Sequence, residues 1–283
     1  MLNADFKNYL ESTLNTTLTE TRPLSGGDIN DVYLLKTEEK HFVIKVNDAK
    51  RYPNMFDLEA KGLRELRQAE SFQIPKVIQV GNFGTDSFLI LEYIDAKPKH
   101  PKFAEIFGSN LAKMHQCTAA PFGFTEDNYI GSLPQYNTQE PDAASFYIEQ
   151  RLMPQFEMAS NQGYAFKNLD RFFNTITDLI PLEPASLIHG DLWGGNYIIN
   201  EQGFPALIDP ATCYAPREMD LAMMQLFGGF EAEIFNVYNE AFPLAEGWQS
   251  RIKLWQLYYI LVHVNLFGGH YYNTANSILK TYR

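Results

Sequence analysis

The sequence predicts an α+β protein of two lobes, an N-terminal antiparallel sheet carrying one main helix followed by a mostly helical C-terminal lobe. Three observations lead there. The first ninety-odd residues alternate apolar and polar side chains in short runs split by turn residues, as half-buried strands do. Beyond residue 100 the apolar spacing lengthens to three and four, the period of a helix. Between the two lies DAKPKHP, a Pro/Lys-rich connector, which sets the boundary near residue 95 and the lobes at 1–95 and 96–283.

The elements follow in order. MLNADFKNYLESTLN reads as a helix and lacks the basic start and apolar run of a secretory leader. Strands TRPLS, DVYLLKT and HFVIKV come next, separated by turns at GGDIN and EEK. MFDLEAKGLRELRQAE places Phe56, Leu63 and Leu66 on one helical face among charges. IPKVIQVG and DSFLILEYI complete the sheet. In the second lobe, AEIFGSNLAKMHQ, DAASFYIEQRLMPQFEMA, NLDRFFNTITDLI and the segments from Asp220 onward have helical spacing. PFGFTEDNYIGSLPQYNTQEPD, residues 121–142, is the longest stretch without periodicity, and a loop of that length is expected to be functional or poorly ordered. LWQLYYILVHVNLF, residues 254–267, is apolar all round but too short and interrupted to span a bilayer, so it predicts a buried core helix and no membrane role.

Composition narrows the function. With 45% hydrophobic residues in 283, the chain can bury a large core. Its 23 Lys+Arg against 34 Asp+Glu give a net charge of -11, which argues against a nucleic-acid surface and favours neutral or cationic ligands. Cys117 and Cys213 are too few for a disulfide framework and form no C-x-x-C pair, so a cytoplasmic location is expected.

The chemistry concentrates in LIHGDLWGGNYIIN, residues 187–200. If YIIN and FPALID pair as an antiparallel hairpin, its open end sets Asn196 beside Asp209, with Asp191 just before them. Two carboxylates and an amide oxygen are hard ligands suited to Mg²⁺ shared with phosphates, or one carboxylate can take a proton. Taken singly, Asp, Gly and Asn beside strands are turn formers. Their joint spacing, H-x-D-x-x-x-x-N over His189, Asp191 and Asn196 with an acidic residue after a hairpin, matches the catalytic loop and metal-binding aspartate of kinases.

An independent check comes from the first lobe. Alternation in HFVIKV sets Lys45 opposite Phe42, Ile44 and Val46, which alone makes it a solvated lysine. Yet Lys45 follows Gly26-Gly27, whose bare backbone can approach phosphates, and precedes a helix carrying Glu59. Glycine-rich hairpin, strand lysine, helix glutamate, catalytic loop and metal aspartate stand in kinase order, so a protein-kinase-like fold is expected. Walker A, G-x-G-x-x-G, G-x-S-x-G and H-E-x-x-H motifs are absent from the sequence.

Nearly the whole chain resembles the fructosamine, or ketosamine, kinases, relatives of the aminoglycoside and choline kinases. The likeness rests on SGGDIN, FVIKV, MFDLEAKGL, FGFTEDNYIGSLPQYN, HGDLWGGN, LIDPATCY and REMDLAMMQLFGGF. It implies ATP and Mg²⁺ as cofactors, a ketosamine as acceptor (a ribulosamine, erythrulosamine or fructosamine adduct, free or on a protein), and a role in deglycation. It further implies Asp191 as the base, Asn196 and Asp209 as Mg²⁺ ligands, Lys45 with Glu59 at the ATP phosphates, and backbone groups of Glu92, Tyr93 and Ile94 at adenine. LIDP in place of D-F-G, with only ten residues between Asp209 and Asp220, leaves no room for a phosphorylatable peptide-docking segment and points to a small acceptor. Some family members carry cysteine where this chain has Asp28, so no redox switch is expected there.

For Trp193 two readings stand, a wall of the acceptor pocket or a core residue under the loop. For Asp220 they are an N-cap of LAMMQLF or a brace of the catalytic loop. His189 is expected to be structural. His115 with Cys117, and His263 with His270, lack a third ligand and are expected in core or surface. The rival functions are a kinase of another small hydroxyl compound, such as an aminoglycoside or amino alcohol, and a nucleotide-binding regulator without turnover.

Overall fold

A computed structural model of the chain describes residues 2–24 and 29–282; Gly26, Gly27 and Asp28 lie outside them. Helix α1 (Ala4–Leu14) begins at Asn3, whose side-chain oxygen accepts from Phe6 N at 2.7 Å. Strands β1 (Glu20–Pro23), β2 (Asp31–Lys36) and β3 (His41–Asp48) precede α2 (Met55–Gln68). β4 (Val77–Phe83) and β5 (Asp86–Glu92) complete an antiparallel five-stranded sheet of order β1-β2-β3-β5-β4. Both of its faces are covered. Ile44 and Val46 pack with Phe6 and Leu10 of α1, while Val43 and Leu89 pack with Phe56, Ala60 and Leu63 of α2.

That second cover is why Lys45 is not the solvated lysine that alternation taken alone would make it. The lysine shares the Val43 face, under α2, and is only 5% exposed.

The remainder is mostly helical. Helix α3 (Phe103–His115) leads to β6 (Thr118–Ala119) and a hairpin of β7 (Asn128–Ile130) with β8 (Leu133–Gln135). The segment 121–142 is thus organised around a two-stranded element. The helix expected over 142–159 is three pieces: α4 (Ala143–Ser145), a π-helix (Phe146–Leu152) and α5 (Met153–Asn161). The π-turn sets Arg151 over the Phe146 ring five residues earlier, 4.4 Å from its centroid. Then come α6 (Leu169–Thr177), β9 (Ala185–Ile188), and a hairpin of β10 (Tyr197–Ile199) with β11 (Pro205–Leu207). β12 (Cys213–Ala215), α7 (Glu218–Leu226), α8 (Ala232–Ala241), α9 (Trp248–Phe267) and α10 (His270–Thr281) end the chain. β12, β9 and β6 form a small antiparallel sheet.

The largest core gathers around α9, with Trp255, Tyr258 and Leu261 buried against the π-helix, α5 and α10. Another core runs from α2 and β5 through α3 to Leu187, Leu207 and Leu221, tying the sheet to the strands on either side of residues 189–196. No helix among the described residues is long and apolar enough to cross a membrane.

Candidate active site

The segment 189–196 leaves β9 at Ile188 and turns through His189 and Gly190 into Asp191. Gly190 has φ +82°, and a Cβ there would collide with the Ala211 carbonyl, so only glycine allows this approach. Asp220 secures the turn from behind, its Oδ2 accepting from His189 N at 2.7 Å and its Oδ1 from Gly190 N at 2.9 Å. It is the third residue of α7 and not its cap; the N-cap is Arg217. His115, fully buried, lies 3.2 Å from the same carboxylate and 2.9 Å from the Tyr238 hydroxyl. His189 is equally buried, with Nε2 2.9 Å from the Ile208 carbonyl.

Asn196, just before β10, joins both aspartates through one NH₂ group, reaching the Asp191 carboxylate and the backbone carbonyls of both. Nδ2 donates to Asp191 O (2.9 Å) and Oδ2 (3.0 Å) and to Asp209 O (3.3 Å). Antiparallel pairing, with Tyr197 opposite Leu207, brings Asn196 and Asp209 to the open end of one hairpin. Asp209 takes a left-handed φ of +56°, uncommon outside glycine. Its Oδ1 accepts from Lys45 Nζ at 2.6 Å, and Glu59 Oε1 accepts from the same Nζ at 2.6 Å. Burial alone would depress the Lys45 ammonium, but Asp209 and Glu59 more than offset it and hold it above its ordinary range. Asp191 is pushed up to about 7 by burial, opposed by the Asn196 hydrogen bond and reinforced by Asp209 and Asp220.

Glycine also brings the helix glutamate into reach. At Gly62, one turn after Glu59, an added Cβ would come within 2.8 Å of Thr212 Oγ1, so α2 lies against the segment after Asp209 with no side chain between. Tyr214 donates to Glu65 at 2.7 Å across the same junction, and Lys61 pairs with Glu126 of the 121–142 segment.

Lys45, Glu59, Asp191, Asn196 and Asp209 line one cleft of about 670 Å³. Trp193 lines it too and is 41% exposed, so it is not a core tryptophan. Its indole lies over Gly195, where a Cβ would strike the ring, which accounts for the second glycine of the WGGN turn. Glu92, Tyr93 and Ile94 do not line the cleft. Glu92 is the last residue of β5 and the other two follow it, with Glu92 Oε2 accepting from Lys76 N at 3.1 Å and Tyr93 N donating to His41 O at 3.4 Å.

The opposite wall escaped the sequence. Tyr259, Val262, His263 and Leu266 form an i, i+3, i+4, i+7 stripe of α9 facing the cleft, with Phe227 and Tyr271 beside them. His263 sits 5.1 Å from the Phe227 ring and 4.9 Å from Tyr271, and burial lowers its imidazole. Because α9 is apolar all round, periodicity could not single out this face. Among the described residues, no group of three or more His, Cys, Asp or Glu side chains could hold a metal unaided. The free oxygens of Asn196 and Asp209 are hard donors that fit Mg²⁺ only where other oxygens, such as phosphates, complete its coordination.

The family model for fructosamine kinases matches residues 2–283. A probable ketoamine kinase of Vibrio parahaemolyticus is 38% identical over 267 residues, 93% of this chain and 92% of the relative. The chloroplastic protein-ribulosamine 3-kinase of Arabidopsis thaliana is 35% identical, over 94% and 83%. The crystal structure of the "putative fructosamine-3-kinase" from Thermobifida fusca superposes with a TM-score of 0.88 at 32% identity, covering 99% of each chain.

Proposed function

Since the chain belongs to the fructosamine kinase family, and so is a kinase that transfers phosphate to a hydroxyl, we propose that it moves the γ-phosphate of ATP to the 3-hydroxyl of a ketosamine. The adduct, a sugar-derived ketone on an amine, becomes labile once phosphorylated there, which would make the reaction a step of deglycation. The observation that carries this reading is the convergence of Asp191, Asn196, Asp209, Lys45 and Glu59 on one wall of a cleft whose other wall is aromatic.

Asp191 takes the proton of the attacking hydroxyl as that oxygen bonds the γ-phosphorus and the bond to ADP breaks. Asn196 and Asp209 would hold Mg²⁺, which when bound neutralises phosphate charge. Lys45, kept charged by its two carboxylate partners, contacts the phosphates from the sheet side. Adenine would extend beyond the lining named above to backbone groups of Glu92, Tyr93 and Ile94. Trp193 offers its exposed ring to the sugar or amine of the acceptor.

The test is mass spectrometry of an acceptor panel incubated with enzyme and Mg-ATP: ribulosamine, erythrulosamine and fructosamine adducts of lysine, an aminoglycoside, and choline. A gain of about 80 Da, one phosphoryl group, on ketosamines alone is the expected result. A gain only on the aminoglycoside or choline overturns the substrate. No gain anywhere, with ATP still bound, favours a regulator without turnover.

A further inference from the structure

The cleft contains a polar atom that neither the fold nor the reaction has used. Tyr259 is 1% exposed, and its hydroxyl has no hydrogen-bond partner among the described residues. The neighbouring buried tyrosines are all satisfied. Tyr147 donates to Leu254 O at 2.5 Å, Tyr258 to Gln135 Oε1 at 2.8 Å, and Tyr238 reaches His115 at 2.9 Å. Buried hydroxyls are almost always paired, because one that gives up water without replacement destabilises the fold, and phenylalanine would avoid the penalty.

Tyr259 also lines the cleft, on the α9 stripe with Val262 and His263 and with Met223 beside it. On a mainly apolar wall a buried, unpaired hydroxyl is the kind of group that orients a ligand. Thr212 Oγ1, the other unpaired buried atom lining the cleft, is packed against the α2 backbone at Gly62 and is less able to serve. Burial, Asp220 and Asp191 raise the Tyr259 phenol well above its ordinary range, so it stays protonated and can donate.

We propose that Tyr259 is a specificity-determining residue, its hydroxyl hydrogen-bonding a hydroxyl or carbonyl oxygen of the bound acceptor on the side of the cleft facing Asp191. This rests on the reading of the cleft as the acceptor site. The contact selects polyhydroxylated acceptors and rejects analogues lacking the matching oxygen, which would leave the phenol unpaired.

Tyr259→Phe removes that one atom. The variant is expected to keep or raise the thermal midpoint, since no protein partner is lost, and to keep ATP affinity. KM should rise roughly tenfold for whichever panel acceptor the wild type phosphorylates, and discrimination against deoxy analogues of that acceptor should be lost. An unchanged acceptor KM and unchanged discrimination would overturn the contact while leaving the proposed reaction standing. A lowered thermal midpoint with unchanged KM would also overturn it, by assigning the hydroxyl to the fold. Absence of transfer to any acceptor by the wild type would overturn the proposed reaction, and this contact with it.

Discussion

Two short hairpins border the segment that carries Asp209 and are held in contrasting ways. β10–β11 is anchored mainly at its backbone amides: Leu207 N donates to Gln73 O at 3.0 Å, and the amides of His189 and Gly190 in the loop before it donate to the Asp220 carboxylate, with one side-chain pair added, Asn200 Nδ2 to Gln73 Oε1 at 2.7 Å. β7–β8 is anchored by buried side chains. Gln135 donates to Ala211 O (3.0 Å) and Asn128 Oδ1 (2.8 Å), Asn128 donates to Thr212 O (2.9 Å), and Arg151 reaches Tyr136 O and Asn137 Oδ1. Anchorage at backbone amides tolerates changes in neighbouring side chains other than Asp220, so the first hairpin holds Asn196 and Asp209 in fixed geometry. Side-chain anchorage gives the second a shape that single substitutions can alter.

The largest effect is expected on the backbone-anchored side. Asp191→Asn should lower turnover roughly 10²- to 10⁴-fold, the scale of removing a general base, with ATP affinity preserved in a binding titration. Turnover near that of the wild type would move the base elsewhere. Asp209→Asn keeps a residue that tolerates the left-handed backbone. It should weaken Mg²⁺-dependent nucleotide binding by about tenfold or more, the scale of losing a charged contact. Calorimetry with and without Mg²⁺ would read this, and equal weakening in both conditions would mean that Asp209 acts only through Lys45.

Gln135→Ala tests the other hairpin. It orphans Tyr258 and the Ala211 carbonyl, so it should cost about 1–3 kcal/mol of stability and raise acceptor KM while sparing nucleotide affinity. A variant that instead lost nucleotide binding would erase the distinction between the two hairpins.

The smallest effect is the response to acid. Burial lowers the His115 imidazole although the Asp220 carboxylate beside it pulls the other way; Tyr238, Arg217 and Glu183 complete its surroundings. The unfolded chain takes up a proton near pH 6.5 that the fold resists, so stability is full above that pH and declines below it, by up to about 1.4 kcal/mol per pH unit. Thermal melts at pH 7.5 and 5.5 should show a smaller decline in His115→Gln, and an identical decline would assign the sensitivity to other groups.

Legibility in the sequence tracked the range of the interactions. The strands, the α2 face and the juxtaposition of Asn196 with Asp209 follow from periodicity and one hairpin closure, all within a few residues. The π-turn at Phe146–Leu152 had no such signal, because the partners that hold Arg151 there, Tyr136, Asn137 and Cys213, are distant in the chain. Alternation alone would make Lys45 solvated because it reports one covered face, and this sheet has two.

By itself, then, the sequence determined which residues could carry phosphoryl transfer and in what order, since HGDLWGGN and the hairpin after it form a local unit. Only the tertiary structure decided that Lys45 meets Glu59 and Asp209, that Asp220 reaches back from inside α7, and that Tyr259, Val262 and His263 become the second wall. Those contacts join residues on separate elements. Chain packing sets the distances between such elements, and no period within one of them encodes it.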